Sequence, residues 1–153
     1  MKTQRGYTLI ELMLVLAIML ILLRLTTISL SSSQQKVSTT EAEQVLLTDL
    51  RQQQLKAMIG DTEGRSEQDA YGVHFDLNQY VLFHGTYTPA DPANFTVDLN
   101  QGLQFNPAGT DIIFQRISGE IPVSSISVDL ENTTNGETKI MVINKYGVVT
   151  QGD

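Results

Sequence analysis

The stretch Gly6-Tyr7-Thr8-Leu9-Ile10-Glu11 decides how this chain is read. Ahead of it lies a short basic leader with Lys2 and Arg5. Behind it an apolar run continues to Leu23, interrupted only by Thr8 and Glu11. About 17 residues rising 1.5 Å each stand near the lower limit for a membrane span. Continuing past Arg24 through Leu25, Ile28 and Leu30 makes the segment long enough to cross. A carboxylate in such a run costs roughly 2.5–3.5 kcal/mol at the bilayer centre, so Glu11 reads as a functional residue by default.

An ordinary secretory signal places its apolar core before a small-residue cleavage site and loses that core on cleavage. Here the glycine precedes the apolar run, and Leu23-Arg24-Leu25 closes the run with no small-x-small site. A plain signal anchor gives Glu11 no purpose. The arrangement resembles the class III signal and N-methylation motif of type IV pilins and type II secretion pseudopilins. That resemblance implies cleavage between Gly6 and Tyr7 by a prepilin peptidase and N-methylation of Tyr7. It also implies that Glu11, fifth after the cut, is the carboxylate used in filament assembly. Where the family usually has Phe, this chain has Tyr7, which keeps an aromatic ring.

The chain has 153 residues, a net charge of −7 and no cysteine, so one modest domain remains beyond the apolar helix, held by its core alone. Loss of Lys2 and Arg5 leaves 8 cationic against 17 acidic side chains, a net −9. A field of that sign repels phosphate backbones, and no Lys/Arg cluster offsets it, so nucleic acid is not an expected partner. Before cleavage, Lys2 and Arg5 hold the N terminus in the cytoplasm and place the rest outside.

No Pro or Gly occurs from Thr8 to Ile59, and Gly60 is a natural stop, which predicts one helix of about 52 residues, roughly 78 Å. Its first half is apolar all round, as lipid or a helix-lined filament core requires. Its second half is amphipathic. Ala42, Leu46, Leu50 and Ala57, flanked by Leu47 and Met58, are predicted to pack on a sheet, with Glu41, Glu43, Asp49, Arg51 and Lys56 in water. Val45, Leu55 and Ile59 lie off that stripe and read as scattered surface residues, with subunit contacts as the alternative. The Ser/Thr-rich stretch 26–33 is the expected place for a bend. The proline that many pilins carry near it is missing. Arg24 is expected to snorkel to the outer interface, or else to pair with an acid of a neighbouring subunit.

Residues 60–70 form a polar, acidic loop without the oxygen-ligand pattern of a calcium loop. From Tyr71 the period becomes two. A hairpin is predicted with Leu77-Asn78 at its tip, pairing Phe75 with Tyr80, Val73 with Leu82 and Tyr71 with His84. That register puts His74 and His84 on opposite faces, both as partly exposed strand residues unable to share a metal. Residues 86–109 read as loop with short strands at 95–99 and 103–105. Further strands are predicted at 111–117, 124–131, 137–143 and 148–150. The pattern from Tyr71 onward, ending in Ile143-Asn144-Lys145-Tyr146-Gly147-Val148-Val149, resembles the GspH/FimT-type domain of minor pseudopilins and minor pilins.

No catalytic motif is present: no nucleophile elbow, no phosphate-cradling glycine loop, no His-Glu-x-x-His. The expectation is an α+β, pilin-like protein that is not an enzyme and needs no cofactor or metal. Its parts are a leader (1–6), a transmembrane and filament-core helix (7–30), the amphipathic half of that helix (31–60) and an antiparallel β domain (61–153). The expected partners are a prepilin peptidase, the inner membrane and other pilin or pseudopilin subunits through the helix. The expected location is a single-pass inner-membrane protein with its β domain outside, later part of an extracellular or periplasmic filament. The competing reading is a displayed binding module for DNA, glycan or an exported substrate.

Overall fold

A computed structural model describes the backbone of residues 8–152, and side chains for residues 8–24 and 38–150. The predicted leader, Gly6 and Tyr7 lie outside the described residues, as do the side chains of the 26–33 stretch. The chain divides into two compact units, Met1–Lys36 and Val37–Asp153.

Helix α1 (Leu9–Ile59) follows the uninterrupted stretch and stops where the glycine stops it. Gly60 takes φ 65°. Its N–H donates to the Ala57 carbonyl (3.3 Å), and the Asp61 N–H donates to Lys56 (3.0 Å). These are the two bonds of a Schellman cap, which only a residue tolerant of left-handed backbone closes cheaply.

In the second unit the helix covers two four-stranded antiparallel sheets. One contains β1 (Tyr71–Phe75), β2 (Gln79–His84), β3 (Phe95–Asp98) and β5 (Thr110–Phe114), in the order β3-β2-β1-β5. The other contains β4 (Leu103–Asn106), β6 (Ser125–Asn132), β7 (Thr138–Asn144) and β8 (Val149–Gly152), in the order β4-β6-β7-β8. The hairpin has the predicted register, Phe75 facing Tyr80, Val73 facing Leu82 and Tyr71 facing His84. Tyr71, Val73, Phe75 and Tyr80 are all buried against the helix stripe. Phe105 of the second sheet meets Phe75 edge-on, ring centres 5.0 Å apart, and so joins the two sheets in one core.

The buried stripe of α1 is Thr39, Glu43, Leu46, Leu50, Gln53 and Ala57, alternating steps of four and three as one helix face requires. Three expectations are corrected here. Glu43 is not in water but 4% exposed, because the stripe's spacing carries it inward whatever its polarity. Met58 is 48% exposed, one position past the inward-facing Ala57. Asp49 is half-buried and accepts a hydrogen bond from the Tyr80 hydroxyl at 2.5 Å. Val45, Leu55 and Ile59 are exposed, as the spacing predicts.

His84 is also corrected. It is 6% exposed, its ring tilted against Tyr71 with centres 4.4 Å apart. Strand β5 ends at Phe114 rather than at 117. There Gln115 N–H turns to the Glu120 carbonyl and Ile117 N–H to the helix at Ala57, leaving no ladder to continue. The last strand begins one residue late, at Val149, because Asn144 Oδ1 accepts from the Tyr146 and Val148 N–H groups and holds the turn.

Candidate functional site

The first turn of α1 is built by Thr8. Its carbonyl accepts the N–H groups of Glu11 (3.1 Å) and Leu12 (3.2 Å), which makes Thr8 the N-cap and Glu11 the third helical residue. Thr8-x-x-Glu11 is the spacing of a capping box, a signal legible in the sequence beside the assembly role that the resemblance implies. A carboxylate at that position also gains about 0.3–1 kcal/mol from the helix dipole. Glu11 is exposed, and so is every large apolar residue around it from Leu9 to Leu23, at 51–77% of full accessibility.

A helix apolar all round and bare on every side buries nothing by its own fold. It presents several hundred Å² of apolar surface, the amount that marks a contact with lipid or protein. Among the described residues no helix is long and apolar enough to cross a membrane. The run from Leu9 to Leu23 covers about 15 residues, roughly 22 Å, against a hydrocarbon core of about 30 Å. The extension through Leu25, Ile28 and Leu30 lies where side chains are not described. Arg24, which follows the run, is exposed.

Of the predicted site residues, then, Glu11 sits in the first helical turn, while Gly6 and Tyr7 lie outside the described residues. No group of His, Asp or Glu among the described residues is arranged to hold a metal ion. A compact titratable cluster is centred on His74. Its Nδ1 lies 2.5 Å from Asp111 and its Nε2 3.3 Å from Asp76, and Tyr87 stacks on the ring at 3.9 Å. Burial, then the carboxylates of Asp76 and Asp111, raise the Tyr87 hydroxyl above its ordinary pKa. With both ring nitrogens in contact with carboxylates, His74 ties β1 to β5 and to the Tyr87 loop. Sequence pattern placed His74 on its strand but gave no sign of its partners, 37 and 13 residues away.

Residues 1–23 match the family model for the prokaryotic N-terminal methylation motif. No curated protein and no solved structure matches the chain. The chain thus carries a type IV pilin-like N-terminal methylation motif ahead of an α+β domain of antiparallel sheets.

Proposed function

We propose that this chain is a minor pilin or pseudopilin, a structural subunit of a type IV pilus-like or type II secretion filament. A prepilin peptidase removes residues 1–6 and methylates the new amine of Tyr7. Residues 7–30 then serve first as a membrane anchor and later as filament core. The observation that carries this reading is the methylation motif, whose stretch of helix from Leu9 to Leu23 is apolar and exposed on all sides.

The mechanism is geometric. Cleavage ahead of Tyr7 leaves an ammonium on the residue that precedes Thr8, the N-cap of the helix whose first turn carries Glu11. A lone carboxylate in an apolar core is costly, while one paired with an ammonium is tolerated. A subunit entering the filament pairs its Tyr7 amine with the Glu11 of a neighbour, and a register that fails to do so leaves both charges unmatched. Glu11 is then a register device. The resemblance of the β domain to GspH/FimT-type proteins supports a minor over a major subunit.

Intact mass and N-terminal sequencing of membrane-purified protein test this. The expected terminus is Tyr7 carrying one methyl group, and Gly6→Val keeps the leader. A mature terminus beyond Leu23 overturns the proposal, since the apolar helix would then have been discarded.

A further inference from the structure

Strand β3 stands at the end of the first sheet, paired with β2 on one side. Its register sets Phe95 opposite Leu82 and Val97 opposite Tyr80. The β1–β2 hairpin decides where the backbone groups go. Asp76 N–H donates to the Gln79 carbonyl, so residues 79, 81 and 83 bond to β1, and Tyr80 and Leu82 bond to β3. The Leu99 N–H bond to the Asn78 carbonyl (2.9 Å) keeps the same alternation. Phe95 and Val97 thus direct their N–H and carbonyl groups to β2, while those of Thr96 and Asp98 point to the free edge. Among the described residues no other backbone group meets them. Native edges are commonly shielded by Lys, Pro or a bulge. Phe95-Thr96-Val97-Asp98 has neither Lys nor Pro, and its register is unbroken.

Three adjoining hollows run beside that edge, on the side facing α1. One of about 230 Å³ lies between Glu41 and Val45 of the helix and Val97 and Leu99 of the sheet. A second of about 230 Å³ follows Val45 to Asp49, and a third of about 320 Å³ lies between Asp49, Gln52 and Phe95. Shared walls at Val45 and Asp49 make them one groove. From Glu41 to Gln52 it spans roughly 17 Å, the length of about five extended residues. Its apolar lining is open, with Val45 50% and Phe95 65% exposed. Glu41, Asp49 and Asp98 stand along it, while Lys56 is held by Glu63 at 2.6 Å, so the groove is net negative. We propose that it takes an extended, cationic segment of another protein as an added strand on β3. Main-chain bonds to Thr96 and Asp98 supply affinity, and alternate side chains fill the groove between Val45 and Val97. The carboxylates favour a basic segment and repel a second copy of this acidic chain. The surface lies wholly within the second unit and does not depend on processing after Gly6.

The test uses the full chain in a non-ionic detergent, with two capped hexapeptides as probes, one alternating valine with lysine and one alternating valine with glutamate. The lysine peptide should bind at least tenfold tighter by fluorescence anisotropy. It should also slow amide hydrogen exchange at Thr96 and Asp98 at least tenfold, read by NMR. Val45→Lys, on the exposed side of α1, should weaken binding tenfold or more. Thr96→Pro removes an outward N–H and no bond to β2, so it should fold and lose the peptide. If that variant does not fold, the exchange pattern of the wild type decides alone. The proposal is overturned if neither peptide binds or both bind alike, or if exchange slows at another edge instead. It is also overturned if Val45→Lys or folded Thr96→Pro binds as the wild type does, or if the chain dimerises through β3.

Discussion

The strongest test of the packing is the pair Thr39 and Asn132, 93 residues apart in sequence. Asn132 ends β6, is 4% exposed, and donates from Nδ2 to Thr39 Oγ1 at 2.9 Å on the fully buried stripe of α1. Its Oδ1 accepts the N–H groups of Thr134 (3.0 Å) and Asn135 (3.4 Å), holding the 133–136 turn. Thr39→Val keeps the shape but strands the buried Nδ2 donor, at about 1–3 kcal/mol. Asn132→Ala removes that bond and two turn bonds together, about 3 kcal/mol at roughly 1 kcal/mol each. For a domain of this size each kcal/mol moves the melting temperature by roughly 3–6 °C. Tyrosine near-UV circular dichroism is the suitable probe, because Tyr71 and Tyr80 sit in the core and no tryptophan interferes. The double variant should be less destabilised than the two single changes added together, with a coupling of about 1 kcal/mol. A Thr39→Val protein that melts with the wild type would refute the reasoning. So would strict additivity, since either result means that helix and turn are not joined through this bond.

Three further outcomes are expected. A Cβ at Gly72 would stand 2.2 Å from Phe83 Cζ, so Gly72→Ala should lose about 1–3 kcal/mol in urea unfolding, and Phe83→Leu should restore most of it. Burial first, then the carboxylates of Glu63 and Asp61, push the Tyr71 hydroxyl up to about 12. Burial, then the hydrogen bond to Asp49 and its charge, raise that of Tyr80. The folded state therefore holds its phenolic protons to higher pH than the unfolded chain, whose tyrosines ionise near pH ~10. Stability should be intact below pH ~10 and fall as pH rises from ~10 through ~12, with a shallower decline in Tyr71→Phe and Tyr80→Phe. Glu11→Leu should insert into membranes as well as the wild type yet fail to enter filaments, read by fractionation and by co-purification with sheared filaments; normal incorporation would remove its register role.

What the sequence disclosed follows from how far apart the interacting residues lie. The helix stop at Gly60 and the Phe75–Tyr80 register are decided within a few residues, by backbone tolerance and strand period, and both were readable. The Thr8 cap is equally local, a signal that the methylation motif overshadowed. Apart from Met58 and the ends of β5 and β8, the errors fall where a polar side chain is buried. Polarity argues that Glu43 and His84 face water, yet the spacing of Thr39, Leu46 and Leu50 carries Glu43 inward, and pairing with Tyr71 does the same for His84. Pattern therefore outranks polarity once one face of an element is committed, because a helix cannot rotate one residue without rotating its neighbours. Distance also explains why the groove beside β3 was invisible in sequence. Strand period puts Phe95, Val97 and Leu99 on one face, and helix spacing leaves Val45 outside the buried stripe, both local readings. That β3 ends its sheet, and that Val45 stands across a groove from Val97, is decided between elements far apart in the chain. An apolar residue left outside by its own element's pattern reads as scattered surface until the neighbour that faces it is known.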